Sequence, residues 1–538
     1  MMRPSAARPP RLAAALLLAL GACAPARAQP AERSASEPPR LVVFITVDQL
    51  IPEYFARYER QLTGGLGRLY RGGAVFTDAH QDHGVTETAP GHASTLSGRF
   101  PRSTGIVSNA LGVEDPQAPL VGGGGPPASP FRFRGGTLVD WMRVADPRSR
   151  SLSVSRKDRG AILPVGRAGR AVFWYALDAG RFTTSAWYAD TLPDWVERFN
   201  ARHPVSSFAG RAWTLLLPER EYPEPDSVPA ESGGRNFVFP HVVPTDPAQV
   251  APRLADFPWV DSLTLRLALD GLREMRLGAG PSPDLLAVSL SATDAVGHRF
   301  GPDSREIHDQ VLRLDRWLGA FMDSVYATVD PPRVVFALTA DHGVNPFPEV
   351  RPGGEAARAY HVDVQPLVRG VRAALAAAGA DTTAFEWDDG VVYLRRDRLR
   401  GTNIDADTLI AGFAERVRRV PGVLRADRMR DLRALPAEAL ERDRIAGRWV
   451  HMIPADFPVE LVVTQQPRHV WGPRTSATHG SPHDYDTHVP LIFYGPAIRP
   501  GRYAGYVRVV DIAPTLARIL GVAPTEALDG RVLQPALR

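Results

Sequence analysis

Cysteine is all but missing from these 538 residues: Cys23 is the only one. A lone thiol excludes intramolecular disulfides, cysteine-based zinc fingers and Cys-X-X-Cys redox chemistry, so any metal must be held by His, Asp or Glu. Lysine is as scarce, with Lys157 the single lysine among 63 basic residues. Beyond the first residues no apolar run reaches the ~20 needed to span a bilayer. The sequence has no HEXXH signature of a zinc protease, no internal repeat and no coiled-coil heptads, and a monomer is expected. The formal charge of +4 is small. Four of the 63 basic residues (Arg3, Arg8, Arg11 and Arg27) lie in a segment that reads as removable, leaving 59 against 59 acidic residues. Zero net charge gives no electrostatic case for nucleic-acid binding. With 44% hydrophobic residues, disorder is excluded as the dominant state.

What is present begins with a secretory pattern. Residues 3–11 are basic, 12–20 read LAAALLLAL, and the small-residue stretch GACAPARA follows. Residues 1–28 therefore read as a signal, with two exits left open. Ala26-Arg27-Ala28 fits a signal-peptidase site, whereas Leu20-Gly21-Ala22-Cys23 resembles a bacterial lipobox that would lipidate Cys23. Either exit puts the mature protein outside the cytoplasm, periplasmic or secreted. Residues 29–38 read as a linker, and 39–538 as one domain.

Four short apolar runs read as buried strands: Leu41–Val47, Leu285–Leu290, Val334–Leu338 and Val489–Phe493. Their length and β-branching suit parallel strands covered on both faces. Helical patterns lie between them, as at Ser304–Tyr326 and Leu409–Arg418. Alternation of the two predicts an α/β fold with a mainly parallel sheet. Residues 160–270, rich in Trp, Pro and Gly, and residues 355–470, rich in Arg and Ala, read as insertions.

Three of these strands run into an aspartate: Asp48, Asp294 (through Ser291-Ala292-Thr293) and Asp341. Sites in open α/β sheets form at the carboxyl ends of strands, so the three carboxylates have a common place to meet. His298 follows Asp294 by four, a spacing that shares a helix face. His342 follows Asp341 directly, and the pair could reach one ion only at a bend that Gly343 would permit. Two Asp/His clusters fit a pair of zinc ions, or manganese. Two metals ~4 Å apart are the usual device for in-line phosphoryl displacement. A further histidine is expected from THGSPHDYDTH, where His479, beside Gly480 in a loop, is favoured over His483 and His488.

A hydroxyl at a helix N-terminus can act as a nucleophile beside a metal. In GVTETAPGHASTLSG a helix is expected from Pro90, which puts Thr88 at its start, Thr86 a little early, and His92 in a structural position. Lys157 and Arg159 stand in SRKDRGA. A chain that otherwise uses arginine everywhere keeps one lysine here, where a compact ammonium with three donors suits a doubly charged phosphate monoester.

These residues resemble the alkaline phosphatase superfamily, and within it the phosphate-irrepressible, single-chain bacterial alkaline phosphatases. VFITVDQL, TETAPGHAS, GIVSN, KDRGA, SATDAVGH, TADHG and THGSP occur in that family's order, and VRVVDIAPTLARILGV resembles its closing strand and helix. The resemblance spans residues 38–538. It implies a three-layer sandwich, a large and mainly parallel sheet flanked by helices with cap insertions. It implies two Zn²⁺ ions, one held by Asp294, His298 and His479, the other by Asp48, Asp341 and His342 with Thr88 as oxygen ligand and nucleophile. Asn109 and the Ala89 N–H would contact phosphate oxygens, as would Lys157 and Arg159, which separate this branch from related phosphodiesterases. The implied activity is hydrolysis of small phosphate monoesters through a phosphothreonine, for phosphate scavenging. Phosphodiesterase or phosphonate hydrolase activity on the same fold is the first alternative, and a non-catalytic metal- or phosphate-binding surface protein the second. No third metal site is expected.

Overall fold

The computed structural model describes residues 38–347, 360–473 and 476–538. The signal with Cys23, most of the linker, and residues 355–359 of the second insertion lie outside the described residues. The strands of the two larger sheets are, in chain order, β1 (Leu41–Val47), β2 (Ala74–His80), β3 (Ser151–Ser155), β4 (Ala171–Ala176), β5 (Arg181–Thr183), β6 (Asp284–Leu290), β7 (Val334–Thr339), β8 (Phe385–Asp388), β9 (Val391–Leu394), β10 (Val423–Arg428), β11 (Val459–Gln465), β12 (Leu491–Tyr494) and β13 (Gly501–Arg508).

Nine of them form one sheet in the order β13-β2-β12-β7-β1-β6-β3-β4-β5. Seven run the same way. β12 is antiparallel to both its neighbours and β5 to β4. β1 lies at the centre, and all seven of its residues are buried, as a parallel strand covered on both faces requires. Its register pairs Val47 with Leu290 of β6 and Thr46 with Thr339 of β7, so the three strands end side by side. The strand expected at Val489–Phe493 is β12, two residues later at its start. It is antiparallel rather than parallel, because an apolar run encodes burial and not direction. β4 and β5 fall inside the stretch set aside as an insertion at 160–270, which leaves the sheet only after Thr183.

The helices that bear on the site are α1 (Gly65–Gly72), α2 (Thr88–Ser97), α3 (Leu138–Ala145), α4 (Asp158–Ile162), α5 (Trp259–Glu274), α6 (Ala292–Phe300), α7 (Arg305–Thr328) and α8 (Ile512–Leu520). They flank the sheet as two packed groups, α1 with α5, α6 and α7, and α2 with α3, α4 and α8. α7 is the helix read at Ser304–Tyr326. Ser304 is its cap, with Oγ accepting from Ile307 N at 3.1 Å.

Residues 360–465 carry the second sheet, antiparallel in the order β8-β9-β11-β10, with helices Gln365–Ala377 and Ala406–Val417. This part has its own apolar core around Val368, Phe385, Phe413 and Leu461. A third cluster joins it to the site: Val85 and Val107, from the segments bearing Thr88 and Asn109, pack with Val391, Tyr393, Trp449 and Met452. This part thus buttresses the loop that bears Thr88.

Candidate active site

Three adjacent strand ends bring Asp48, Asp294 and Asp341 together. Asp48 follows β1, and its N–H donates to Leu290 O at 2.9 Å, tying it to the end of β6. The chain then turns into α6, which places Asp294 and His298 four residues apart on one face. Asp341 and His342 follow β7. Two groups result, Asp294 with His298 and His479, and Asp48 with Asp341 and His342; within each, one ligand atom per residue lies within 4.8 Å of the others.

Gly343 serves this geometry through close approach rather than a bend. A Cβ there would lie 2.2 Å from Tyr485 O. Gly91 does the same for α2, where a Cβ would sit 2.2 Å from Asp341 O. The helix bearing Thr88 can therefore press directly onto the strand end bearing Asp341.

The imidazoles are oriented alike. Nδ1 donates to a backbone carbonyl in each: His298 to Ala477 O at 2.7 Å, His342 to Gly343 O at 3.0 Å, and His479 to Thr86 O at 2.7 Å. A carbonyl only accepts, so Nδ1 carries the proton and Nε2 is left with a lone pair aimed inward. His298 Nε2 and His479 Nε2 stand 3.1 Å apart, and His298 Nε2 is 3.2 Å from Asp294 Oδ1. His342 Nε2 is 3.3 Å from Asp48 Oδ1. Both oxygens of Asp48, Oδ2 of Asp341 and Nε2 of His342 are buried without a hydrogen bond. Lone pairs converging on lone pairs and carboxylates fit divalent cations, and nothing in the donor set conflicts with zinc.

Burial and the neighbouring Asp294 push the Asp48 carboxyl up, but Lys157 and His342 outweigh them and hold it well below the usual carboxylate range. Burial opposes charge on His342, yet Asp341, Asp48 and Asp294 raise it to about 9. Without a metal, the neighbouring carboxylates favour a second proton on His342, at the Nε2 that a cation would claim. Burial and then the charges of His342 and His298 hold His479 well below its ordinary value, which keeps it neutral and able to ligate.

Thr88 opens α2, two residues before the expected start at Pro90. Lys157 caps α4 and is only 9% exposed. Its Nζ lies 3.1 Å from Thr88 Oγ1, 2.6 Å from Asp48 Oδ2 and 2.7 Å from Asp294 Oδ2, touching the hydroxyl and both carboxylate groups at once. Arg159 does not join this contact set; Asp158 is its carboxylate neighbour at 3.5 Å, and its Nε is buried without a hydrogen bond. The Ala89 N–H donates to Asn109 Oδ1 at 2.9 Å instead of standing open for a ligand, which leaves Nδ2 as the donor of that amide. Glu87 Oε2 in turn accepts from Asn109 N at 2.6 Å.

Thr86 and His92 are engaged within the fold. Thr86 Oγ1 donates to Ser481 O at 2.9 Å, and the His92 nitrogens meet Thr88 O and Ser289 Oγ, both at 2.9 Å. Gln49 escaped the sequence reading. Its Nε2 donates to Asp294 Oδ1 at 2.9 Å, its N–H to Asp341 Oδ1 at 3.2 Å, and its φ of +64° is strained for a non-glycine. Only its place beside Asp48 could have drawn notice. Asp78, His80 and His488 form a further group. Here Arg448 Nη2 donates to His80 Nδ1 at 3.2 Å, so Nε2 carries the proton that Asp78 accepts at 2.9 Å. Hydrogen bonds within the fold already engage both nitrogens of His80.

The pattern of the type I phosphodiesterase / nucleotide pyrophosphatase family matches residues 42–363. Alkaline phosphatase PhoV of Synechococcus elongatus is 30% identical over 526 residues, 93% of each chain. Alkaline phosphatase PhoK of a Sphingomonas species is also 30% identical, over 93% of this chain and 91% of its own. The crystal structure of alkaline phosphatase PafA superposes with a TM-score of 0.84 at 26% identity, over 94% of this chain and 100% of that one. A second PafA structure is of a mutant replaced at a threonine and an asparagine 21 positions apart and at a lysine and an arginine two apart. Among the described residues no helix is long and apolar enough to cross a membrane. The protein is an enzyme of the alkaline phosphatase kind, and the chain belongs to the type I phosphodiesterase / nucleotide pyrophosphatase family of the alkaline phosphatase superfamily.

Proposed function

We propose that this chain hydrolyses phosphate monoesters with two zinc ions, through a phosphothreonine at Thr88. The observation that carries the reading is the triple contact of Lys157 Nζ with Thr88 Oγ1, Asp48 and Asp294, which puts a nucleophile, a compact cation and both ligand clusters within one reaction volume. Asp294, His298 and His479 would hold one ion, and Asp48, Asp341, His342 and Thr88 the other. The bound ions would supply Lewis acidity, easing deprotonation of hydroxyl and water and neutralising charge on the departing oxygen.

The chain's own groups do the rest. Thr88 Oγ attacks phosphorus in line, forming the P–O bond as the ester's P–O bond breaks and the alcohol leaves. Water then cleaves the phosphothreonine from the opposite side, returning the Thr88 hydroxyl and releasing phosphate. Asn109 Nδ2, Lys157 and Arg159 hold the oxygens of the transferring group, and the orphaned Nε of Arg159 is a donor suited to one of them. The threonine–asparagine and lysine–arginine intervals of the PafA mutant are those separating Thr88 from Asn109 and Lys157 from Arg159. The basic, apolar and small-residue order of residues 1–28 supports export to the periplasm, soluble or lipidated at Cys23, where a monoesterase would scavenge phosphate.

The test is turnover of p-nitrophenyl phosphate and bis-p-nitrophenyl phosphate by zinc-loaded protein, with and without chelator, beside Thr88→Ala. Fast monoester turnover lost to chelator and to Thr88→Ala is expected. A strong diester preference would transfer the site to the phosphodiesterase reading, and no turnover of either would leave a binding protein.

A further inference from the structure

A cavity of about 460 Å³ opens beside His298, lined among others by Ser232, Arg235, Arg253, Arg299 and Phe347. Three of its walls are guanidiniums and none is a carboxylate. One acid stands behind them: Asp256 Oδ2 is 3.1 Å from Arg253 Nη1 and 3.3 Å from Arg299 Nη1. Asp256 is shared by two arginines and Glu306 also acts on Arg299, so the positive character of the cavity comes chiefly from Arg253 and Arg235. Glu231, next to Ser232, does not cancel this, since burial pushes its carboxyl up to about 9 and keeps it neutral. Arg299 is held in place, with its side chain only 16% exposed and its Nε donating to Ser232 Oγ at 2.8 Å. Ser232 sits at φ 51°, a left-handed conformation that a serine adopts only under constraint.

Position gives this charge a meaning. Thr88 belongs to the cluster of Asp48, Asp341 and His342, so in-line attack would send the alcohol oxygen toward the other cluster, Asp294, His298 and His479, and the cavity begins at His298. The rest of the alcohol therefore extends toward the arginines. Its volume is in the range that takes a small ligand. We propose that this cavity is a leaving-group subsite for an alcohol that carries a second phosphate, so that the preferred substrates are bisphosphorylated small molecules such as sugar bisphosphates. Guanidiniums match phosphate oxygens in geometry as well as charge. The inference rests on the monoesterase reading.

The experiment compares kcat/KM for fructose 1,6-bisphosphate, fructose 6-phosphate and phenyl phosphate in the zinc-loaded wild type, in Arg235→Glu, and in Arg235→Ala/Arg253→Ala. Arg235 is exposed, so reversing its charge leaves the fold intact. The wild type should favour the bisphosphate by roughly tenfold or more, the size of a charge-assisted contact. The preference should shrink with added salt and fall to about unity in the double variant, with the loss in KM. A direct binding measurement on Thr88→Ala should rank the bisphosphate above the monophosphate without turnover. A wild type that hydrolyses phenyl phosphate but shows no bisphosphate preference, or keeps it in the double variant, overturns the subsite alone. Absence of turnover on all three esters overturns the monoesterase reading, and the subsite with it.

Discussion

Lys157 shows what one residue contributes here that its commoner relative could not. Its ammonium meets three oxygens from three segments at 2.6, 2.7 and 3.1 Å. A planar guanidinium, with donors forked over a wider span, cannot occupy the same point. A monoester carries one charge more than a diester and draws more from a cation at that point. Lys157→Ala should lower monoester kcat/KM by about a hundredfold and diester kcat/KM by roughly tenfold or less, and Lys157→Arg should restore little of it. Equal losses on the two esters would remove Lys157 from the recognition of monoester charge. Asp48, Asp294, Asp341 and the histidines attached to the last two were legible because strand ends, adjacency and i,i+4 spacing are written in the sequence, whereas His479 was only favoured among three loop histidines and its grouping came from the resemblance. Gln49 was not, because its amide and N–H reach across β6 and β7, and such contacts leave no local pattern. The hydrogen bond from the Ala89 N–H to Asn109 Oδ1 was illegible for a similar reason: Asn109 arrives from a separate loop.

Among the elements, α6 sets half of the site, and a buried acid fixes where it starts. Asp261 of α5 accepts from Ala292 N at 3.0 Å and from Gln310 Nε2 at 3.1 Å. Burial raises its carboxyl from 3.8 to about 7. The folded state thus holds a proton that the unfolded chain has released, so this group's contribution to stability is fully present below about pH 4 and is lost as pH rises to about 7. Chemical denaturation at pH 5 and pH 8 should show the wild type losing stability across that window. Asp261→Asn, which cannot ionise, should lose less, and an unchanged pH dependence would exclude the acid as its source. Elements themselves were legible where burial is continuous, as in β1, whose bounds Leu41–Val47 were read from sequence alone. β4 and β5 were hidden in a stretch whose aromatic and glycine content resembles a loop, and β12 gave no sign of its direction.

At the scale of the whole molecule, the site is a junction. Its proposed ligands come from the ends of β1 and β7, from α6 and the start of α2, and from a loop near the C-terminus, so bound cations would fasten residues 48, 88, 294, 298, 341, 342 and 479 to one another. Lys157 already meets Asp48 Oδ2, but Asp48 Oδ1 and Asp341 Oδ2 are buried without hydrogen bonds and oppose folding less once metal ions neutralise them. Zinc should therefore raise the melting temperature by several degrees and chelator lower it, with the shift growing with metal concentration. A melting temperature indifferent to both would argue against ions at these clusters. Neither the strand order nor the packing of the second insertion against the Thr88 loop could be read in advance, since both are contacts between distant parts of the chain.

The central position of β1 has a bearing on how the molecule comes into being. Its neighbours are residues 284–290 and 334–339, so the first strand to emerge from a ribosome is among the last to be surrounded. The innermost strand, apolar but for Thr46, must wait unpaired until residues 284–290 follow. His479 arrives later still. The Asp294 and His298 group is therefore incomplete until nearly nine-tenths of the chain exists.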